Sequence, residues 1–375
     1  MDPHPHDHVE TLIIGGGQAG LATGYWLREI RRPFLIVDAG DRVGDTWRHR
    51  WDSLRLFTTA RYDQLPGMPF PAPSSHYPSK DEVADYLQAY AEAFELPVRT
   101  AVTVEHLTRG HGPFEARTSV GLMTADNVVL ATGMYRTPKV PAAAASLDPG
   151  IVQLHSRDYR NPTQLPPGPV LVVGASNSGA EIALDLAGTH PVLLSGRDPG
   201  HEPTRAGTLP DRLIQPLVWF TASRVLTAHS PLGRRAREHF LHPPRGIPLA
   251  RVRPGDLTTA GIQRVPRVTG TRDGRPLLDD DRVLDVATVV WCTGFDPDLS
   301  FIDPPLTGRD GYPDNDQGLI TDQPGLYVMG MAFQTALASA LLGGVGTDAA
   351  HIVHHIAARA TESTAARHVD RAAAR

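Results

Sequence analysis

Residues 11–38 read TLIIGGGQAGLATGYWLREIRRPFLIVD. The opening apolar run, Leu12-Ile13-Ile14, stops at three glycines, as a strand buried on both faces does. Gly15-Gly16-Gly17-Gln18-Ala19-Gly20 fits G-x-G-x-x-G, and Leu21, Tyr25, Leu27 and Ile30 then recur near the helical period. A second apolar run, Phe34 to Val37, ends in Asp38. Gly15 permits the tight turn, Gly17 the close approach of a pyrophosphate, and Gly20 the packing of helix on strand. The N–H groups that open the helix, around Gln18 and Ala19, point at the phosphates along the favourable end of the helix dipole. Asp38 stands where a carboxylate accepts from a ribose hydroxyl and repels a 2′-phosphate, which suits FAD or NAD.

The same unit recurs further on. Pro166-Pro167-Gly168-Pro169 marks a boundary, then Val170 to Val173 runs into Gly174-Ala175-Ser176-Asn177-Ser178-Gly179. A helix over 180–186 and a strand over 192–194 follow, closing on Ser195-Gly196-Arg197. Ser176 replaces the middle glycine. Arg197 holds the same offset from Gly179 that Asp38 holds from Gly20, and a guanidinium there pairs with a 2′-phosphate, so this site reads as NADP. Two small-residue turns echo each other as well, Ala131-Thr132-Gly133 and Cys292-Thr293-Gly294.

At 375 residues, 41% of them hydrophobic, the chain suffices for two domains. A net charge of −5 gives no reason to expect nucleic acid or an anionic membrane as a partner. No apolar run reaches the length of a membrane span, and the N-terminus lacks a basic-then-apolar leader, so the expected location is cytoplasmic. The single cysteine, Cys292, excludes an intramolecular disulfide or Cys-x-x-Cys pair and reads as packing. His4, His6 and His8 sit in a proline-broken tail, and no metal site is expected.

Between the motifs, residues 39–73 are irregular yet aromatic, as a chain covering something is. Ser79 to Phe94 reads as a helix capped by Ser79 or Asp81, with Val83, Tyr86, Leu87 and Tyr90 as its stripe. Strands are expected at 98–107, 114–117, 127–130, near 265 and 277, at 288–292 and at 325–330. Residues 343–358 read as a glycine turn and a helix whose N-terminus could face the polar edge of a flavin. The 202–253 stretch suggests one or two amphipathic helices that cap a substrate tunnel, make a dimer contact or touch a membrane surface. The first two readings are preferred, and exposed Leu217-Val218-Trp219-Phe220 would suit a homodimer.

With these residues on the page, the chain resembles the class B flavin-dependent monooxygenases, especially the YUCCA-type and bacterial flavin-containing monooxygenases. The likeness runs over nearly the whole length: GGGQAG at 15–20, GDTWRHRWDSLRLFTTARYDQLPGMPFP at 44–71, YPSKDEVADYL at 77–87, LATG at 130–133, GASNSGAEIA at 174–183 and CTGFDPDLSF at 292–301. The long middle block is the most specific. The resemblance implies an α/β fold of two Rossmann-like domains. Residues 1–140 and 286–375 would bind FAD; 141–285, carrying the 202–253 insertion, would bind NADP. It implies hydride transfer from NADPH to FAD, capture of molecular oxygen as a C4a-hydroperoxide, and oxygenation of a small organic substrate.

Thr46 and Trp47 would lie along the flavin, and Val102 joins the cofactor-site positions. His155-Ser-Arg-Asp-Tyr159 keeps the second half of the family fingerprint, while Pro149 and Ile151 depart from the first half. His155 has two readings, an interdomain structural hydrogen bond or a catalytic part. Tyr159 favours N- or S-oxidation over Baeyer–Villiger chemistry. Phe57 stands where the family offers Asn or His, so leakage of peroxide is an alternative, as is a flavin reductase or oxidase. A non-catalytic nucleotide sensor is the rival of a different class.

Overall fold

A computed structural model of the chain describes residues 7–109, 112–241, 247–306, 308–309 and 312–373. The first strand, β1, runs over Asp7–Ile14, longer than its apolar run, because its polar start pairs with residues 123–125. His8 is therefore in a strand, where it hydrogen-bonds Thr124; His4 and His6 lie outside the described residues. After β1 come α1 (Gln18–Glu29), β2 (Phe34–Val37) and the short α2 (Asp45–Arg48). Helix α3 (Lys80–Ala93) is capped by Ser79, whose hydroxyl accepts from Glu82 N while the Glu82 carboxylate accepts from Ser79 N.

The single strand expected over 98–107 is broken. β3 (Val98–Arg99) pairs with β2 and β4 (Val104–Arg109) with β5 (Phe114–Thr118). Between them Ala101 sits at φ +55°, turning the chain so that Ala101 N reaches Gly40 O and Val102 N reaches Asp38 O. β6 (Gly121–Leu130) starts earlier than its apolar end suggests, because its first half closes the hairpin with β5.

The chain crosses to a second sheet through β7 (Thr137–Pro138), then forms β8 (Val152–His155), β9 (Val170–Val173), α4 (Asn177–Leu186) and β10 (Val192–Ser195). The insertion supplies α5 (Leu209–Phe220), a π-turn over Thr221–Val225 and α6 (Pro231–Leu241). Helix α7 (Pro254–Thr259), β11 (Gln263–Val265), the hairpin β12 (Val268–Arg272) with β13 (Arg275–Leu278), and β14 (Thr288–Trp291) complete this half. The return passes β15 (Phe295–Asp296), β16 (Ile302–Asp303), the pair β17 (Gly308–Arg309) and β18 (Tyr312–Pro313), β19 (Leu326–Val328) and α8 (Val345–Ala373).

The second sheet has the parallel order β11-β10-β9-β14-β8, and the first contains β3-β2-β1-β6 with β19 beside β6, also parallel. Each is a doubly wound unit with its glycine turn at the carboxyl end of the central strand. β14 pairs with β9 and β8, so the boundary expected at 285/286 is corrected: the second unit keeps Thr288–Trp291. Those four residues are buried on both faces and do for the second sheet what Asn127–Leu130 does for the first. The two crossings, β7 and β15, pair with each other. No helix among the described residues is long and apolar enough to cross a membrane.

Candidate active site

The first turn is set by close approach. Gly15 has φ +112°, and a Cβ there would meet Ala131 O at 2.3 Å; a Cβ on Gly20 would sit 1.9 Å from Gly15 O. Gly17 is different: nothing lies within 4 Å of where its Cβ would be. Gly17 is also the N-cap of α1 and offers no side chain to it, so the leading N–H groups of that helix, unlike those of α3, receive no capping side chain. That combination fits a pyrophosphate. Asp38 accepts from Gly16 N at 2.5 Å and from Gly40 N at 2.8 Å, which fixes its carboxylate at the strand end and leaves each oxygen a further lone pair.

Trp47 reaches this turn, its indole N–H donating to Gln18 Oε1 at 3.2 Å. Its helix α2 begins at Gly44, at φ +90°, where a Cβ would stand 2.5 Å from Ala84 O, so the aromatic block is pressed onto α3. Thr46 beside it is exposed. Val102 is buried and its N–H is engaged by Asp38 O. Ala131 lies under Gly15, with Thr132 half-buried; Gly133, at φ +75°, has open space on its Cβ side.

The second turn repeats the constraint. Gly174 has φ +108° and a Cβ there would meet Cys292 O at 2.2 Å; a Cβ on Gly179 would stand 1.7 Å from Gly174 O. The N-cap Ser176 makes no side-chain cap to α4. Its hydroxyl instead donates to Ile247 O at 2.7 Å, while Asn177 donates to Pro248 O at 3.0 Å and accepts from Ala250 N at 2.9 Å. Residues 247–250 of the insertion are thus strapped to the turn, next to half-buried Ser178. Arg197 is exposed at the end of β10, and Arg264 from β11 donates to Gly196 O at 2.9 Å just before it.

Ser195, expected among the cofactor-site residues, turns its side chain into the second unit. It is fully buried, and its hydroxyl donates to Pro266 O at 2.8 Å and accepts from Val268 N at 3.1 Å. Thr293 donates to Lys139 O within the paired crossings, and Gly294 is open at φ +89°. Cys292 packs under the turn, and burial pushes its thiol up to about 12.

His155 uses both ring nitrogens: Nε2–H donates to Gly294 O at 3.1 Å and Nδ1 accepts from Arg157 N at 3.2 Å. That pattern requires the neutral Nε2–H tautomer, and burial lowers its pKa accordingly. The ring holds the crossing, edge-on to Phe295. Tyr159 lies in the core of the second unit and donates to Asp185 at 2.7 Å.

The aromatic block and the insertion meet. Thr59 donates to Gln215 at 3.1 Å, Gln215 to Tyr77 at 2.7 Å and Tyr77 to buried Asp211 at 2.6 Å; Tyr62 stacks on Trp219 at 5.0 Å. Ala228 N donates to Thr335 O at 2.8 Å and Leu337 N to Leu226 O at 3.0 Å, so the insertion is clamped to the first unit while its end straps the second turn. A cavity of about 440 Å³ beside this contact is lined by Arg55, Ser75, His76, Tyr77, Ala206 and Arg251. Phe57 is exposed, at 48%.

Sequence reasoning passed over Asp63. It is 0% exposed, accepts from Thr58 at 2.5 Å, and has a second oxygen without a hydrogen-bond partner among the described residues. Burial raises its pKa to about 7. Asp348, in the first turn of α8, is likewise buried; it accepts from Thr335 and stands at about 6. No group of three or more His, Cys, Asp or Glu among the described residues could hold a metal.

Comparison with known proteins gives this geometry its place. The family model described as pyridine nucleotide-disulphide oxidoreductase matches residues 12–219. An uncharacterized CzcO-like oxidoreductase of Geobacillus kaustophilus is 37% identical, over 93% of this chain and 98% of its own. The indole-3-pyruvate monooxygenase YUCCA1 of Oryza sativa is 35% identical over 47% of this chain and 44% of its own. The solved flavin-containing monooxygenase of Stenotrophomonas maltophilia superposes with a TM-score of 0.74 at 28% identity, covering 94% of this chain and 99% of that one. The one cysteine of the sequence, Cys292, is half-buried and offers no second thiol for a Cys-x-x-Cys pair. The chain belongs to the pyridine nucleotide-disulphide oxidoreductase family and, within it, to the class B flavin-dependent monooxygenases, enzymes that use FAD and NADPH.

Proposed function

We propose that this enzyme oxygenates a soft nitrogen or sulfur of a small organic molecule, with FAD at the first turn and NADPH at the second. The observation that carries the cofactor assignment is one geometry built twice, with opposite charges at its tips: uncapped helices over matched glycine turns, Asp38 ending one unit and Arg197 the other. Bound flavin would accept reducing equivalents from the nicotinamide and activate molecular oxygen.

The chain's own part is to bind, orient and exclude water. Gly15, Gly17, Gln18, Ala19 and Gly20 would hold the flavin pyrophosphate, with Asp38 on the ribose and Trp47 fixed along the turn by Gln18. Gly133 and Gly294, open on their Cβ sides, leave room for ligand at the two strand ends. Gly174, Ser176, Asn177, Ser178 and Gly179 would hold the second pyrophosphate beneath the 247–250 strap, and Arg197 the 2′-phosphate. His155 acts as a positioning residue: it fixes the Thr293-Gly294 turn and moves no proton, because both its nitrogens are engaged. The substrate would lie where residues 57–70 meet the insertion. The preference for nitrogen or sulfur over a carbonyl rests on the resemblance of residues 155–159 to the family fingerprint and not on a substrate contact, since Tyr159 is buried against Asp185.

The test is NADPH consumption by the purified protein with a panel of amines, sulfides and ketones, with product mass and peroxide measured together. An N- or S-oxide formed with little peroxide supports the reading. Esters from ketones would replace it with Baeyer–Villiger chemistry. Stoichiometric peroxide with every candidate would make the enzyme an oxidase.

A further inference from the structure

Helix α5 is inside out. Its polar residues Asp211 and Gln215, with Trp219, face the first unit, where they bond Tyr77 and Thr59 and stack on Tyr62. Its large apolar residues face away: Leu209 is 69% exposed, Leu213 73%, Leu217 62% and Phe220 56%. Their spacing of four, four and three residues sets them in one stripe, about 16 Å long at 1.5 Å per residue. The inner face already has its partners within the chain, so the stripe is not waiting for the chain's own core. A contiguous apolar patch of this kind marks a docking surface.

The charge around the stripe selects the occupant. Arg212 and Arg224 flank it on exposed positions, and Arg234, Arg235 and Arg237 follow on exposed positions of α6. From residue 203 to residue 241 there are six arginines and two acids, Asp211, buried on the inner face, and Glu238, exposed on α6. The overall charge of −5 therefore conceals a local excess of exposed arginine in the segment that carries the apolar strip. A second copy docked on this helix would bring the same excess of arginine against a single exposed carboxylate, Glu238. An anionic lipid surface supplies both complements, acyl chains for the leucines and phosphates for the guanidinium groups.

We infer that α5, with the arginines around it, docks this enzyme peripherally on an anionic bilayer. The helix lies in the interface and does not span it. This reverses the weight that the sequence alone gave to the insertion, since net charge says nothing about a local excess.

The experiment is co-sedimentation of the full-length, flavin-loaded protein with vesicles of phosphatidylcholine and phosphatidylglycerol, and with vesicles of phosphatidylcholine alone. The same protein is weighed by light scattering across a concentration series. The expected result is binding to the anionic vesicles, weakened by salt, and reduced about tenfold or more in Leu213→Asp/Leu217→Asp. Unchanged flavin content and circular dichroism in that variant show that its fold is kept, as expected for exposed positions. Arg234→Glu/Arg235→Glu, with the leucines intact, should lose most of the same binding. Absence of vesicle binding overturns the inference. So does a dimer that the Leu213→Asp/Leu217→Asp variant abolishes while vesicle binding persists, which would assign the stripe to a second copy.

Discussion

At the first glycine turn a Cβ on Gly20 would stand 1.9 Å from Gly15 O; at the second, a Cβ on Gly179 would stand 1.7 Å from Gly174 O. The strand beneath presses equally hard, through Ala131 O at 2.3 Å in one and Cys292 O at 2.2 Å in the other. The two differ in the middle. Gly17 is open on its Cβ side, whereas Ser176 is hydrogen-bonded to Ile247 O and Asn177 holds the same strap at two points. They also differ at the tip, Asp38 against Arg197. Glycines fixed by backbone contact are indispensable in both copies. On the proposed assignment, the side chains that differ would decide which nucleotide is held and what lies over it.

The largest effect should come from breaking the shared constraint. Gly20→Ala drives a Cβ into backbone and should yield protein without flavin or no folded protein at all, read by absorbance and circular dichroism. Gly179→Ala makes the equivalent clash in the second unit. It should leave a yellow protein whose flavin NADPH no longer reduces, with kcat/KM down by about a hundredfold or more, on the order of 3 kcal/mol. If the two substitutions gave the same phenotype, the comparison would fail.

A smaller effect separates the tips. Arg197→Ala should raise the KM for NADPH by about tenfold to a hundredfold while leaving NADH nearly unaffected, as loss of a phosphate-pairing guanidinium requires. Smaller again is Ser176→Gly, which removes one hydrogen bond to the strap. About 1 kcal/mol of stability should go with it, together with a few-fold change in the KM for NADPH, measured by melting and steady-state kinetics.

Asp63 bears on the first unit alone. Its folded pKa, about 7, lies above the ordinary 3.8, so between these values the folded chain holds a proton that the unfolded chain has lost. Stability therefore falls as pH rises from about 4 to about 7, and the full cost is present above that. Asp63→Asn should raise the melting temperature at pH 8, by about 1–3 kcal/mol in free energy, and change it little near pH 4. Glu181 at about 7, lifted by burial against the pull of Arg251, and Asp348 at about 6 carry the same sign.

Much of this was legible because it is local. Both glycine turns, the Ser79 cap and the charged strand ends Asp38 and Arg197 are patterns within one short segment, and each lies where the pattern puts it. What escaped depends on distant neighbours. Thr288–Trp291 looks like any buried strand, and only pairing with β8 and β9 assigns it to the second sheet. That the Ser195 hydroxyl is taken up by residues 266–268 is likewise a contact between distant segments. Asp63 is one acid in a polar-looking run, and its burial comes from packing no periodicity reports. The stripe on α5 was visible as apolar residues, but which face turns outward depends on Tyr77 and Thr59, far away in sequence.

The central claim is that one unit, written twice, holds two different dinucleotides by the charge at its tip. Anaerobic stopped-flow reduction of the bound flavin by NADPH and by NADH, in the wild type and in Arg197→Ala, tests it most directly. The account predicts a yellow protein reduced preferentially by NADPH, and a variant with the same flavin content whose preference has gone. A variant that loses its flavin, or one that keeps its full preference for NADPH, would contradict it.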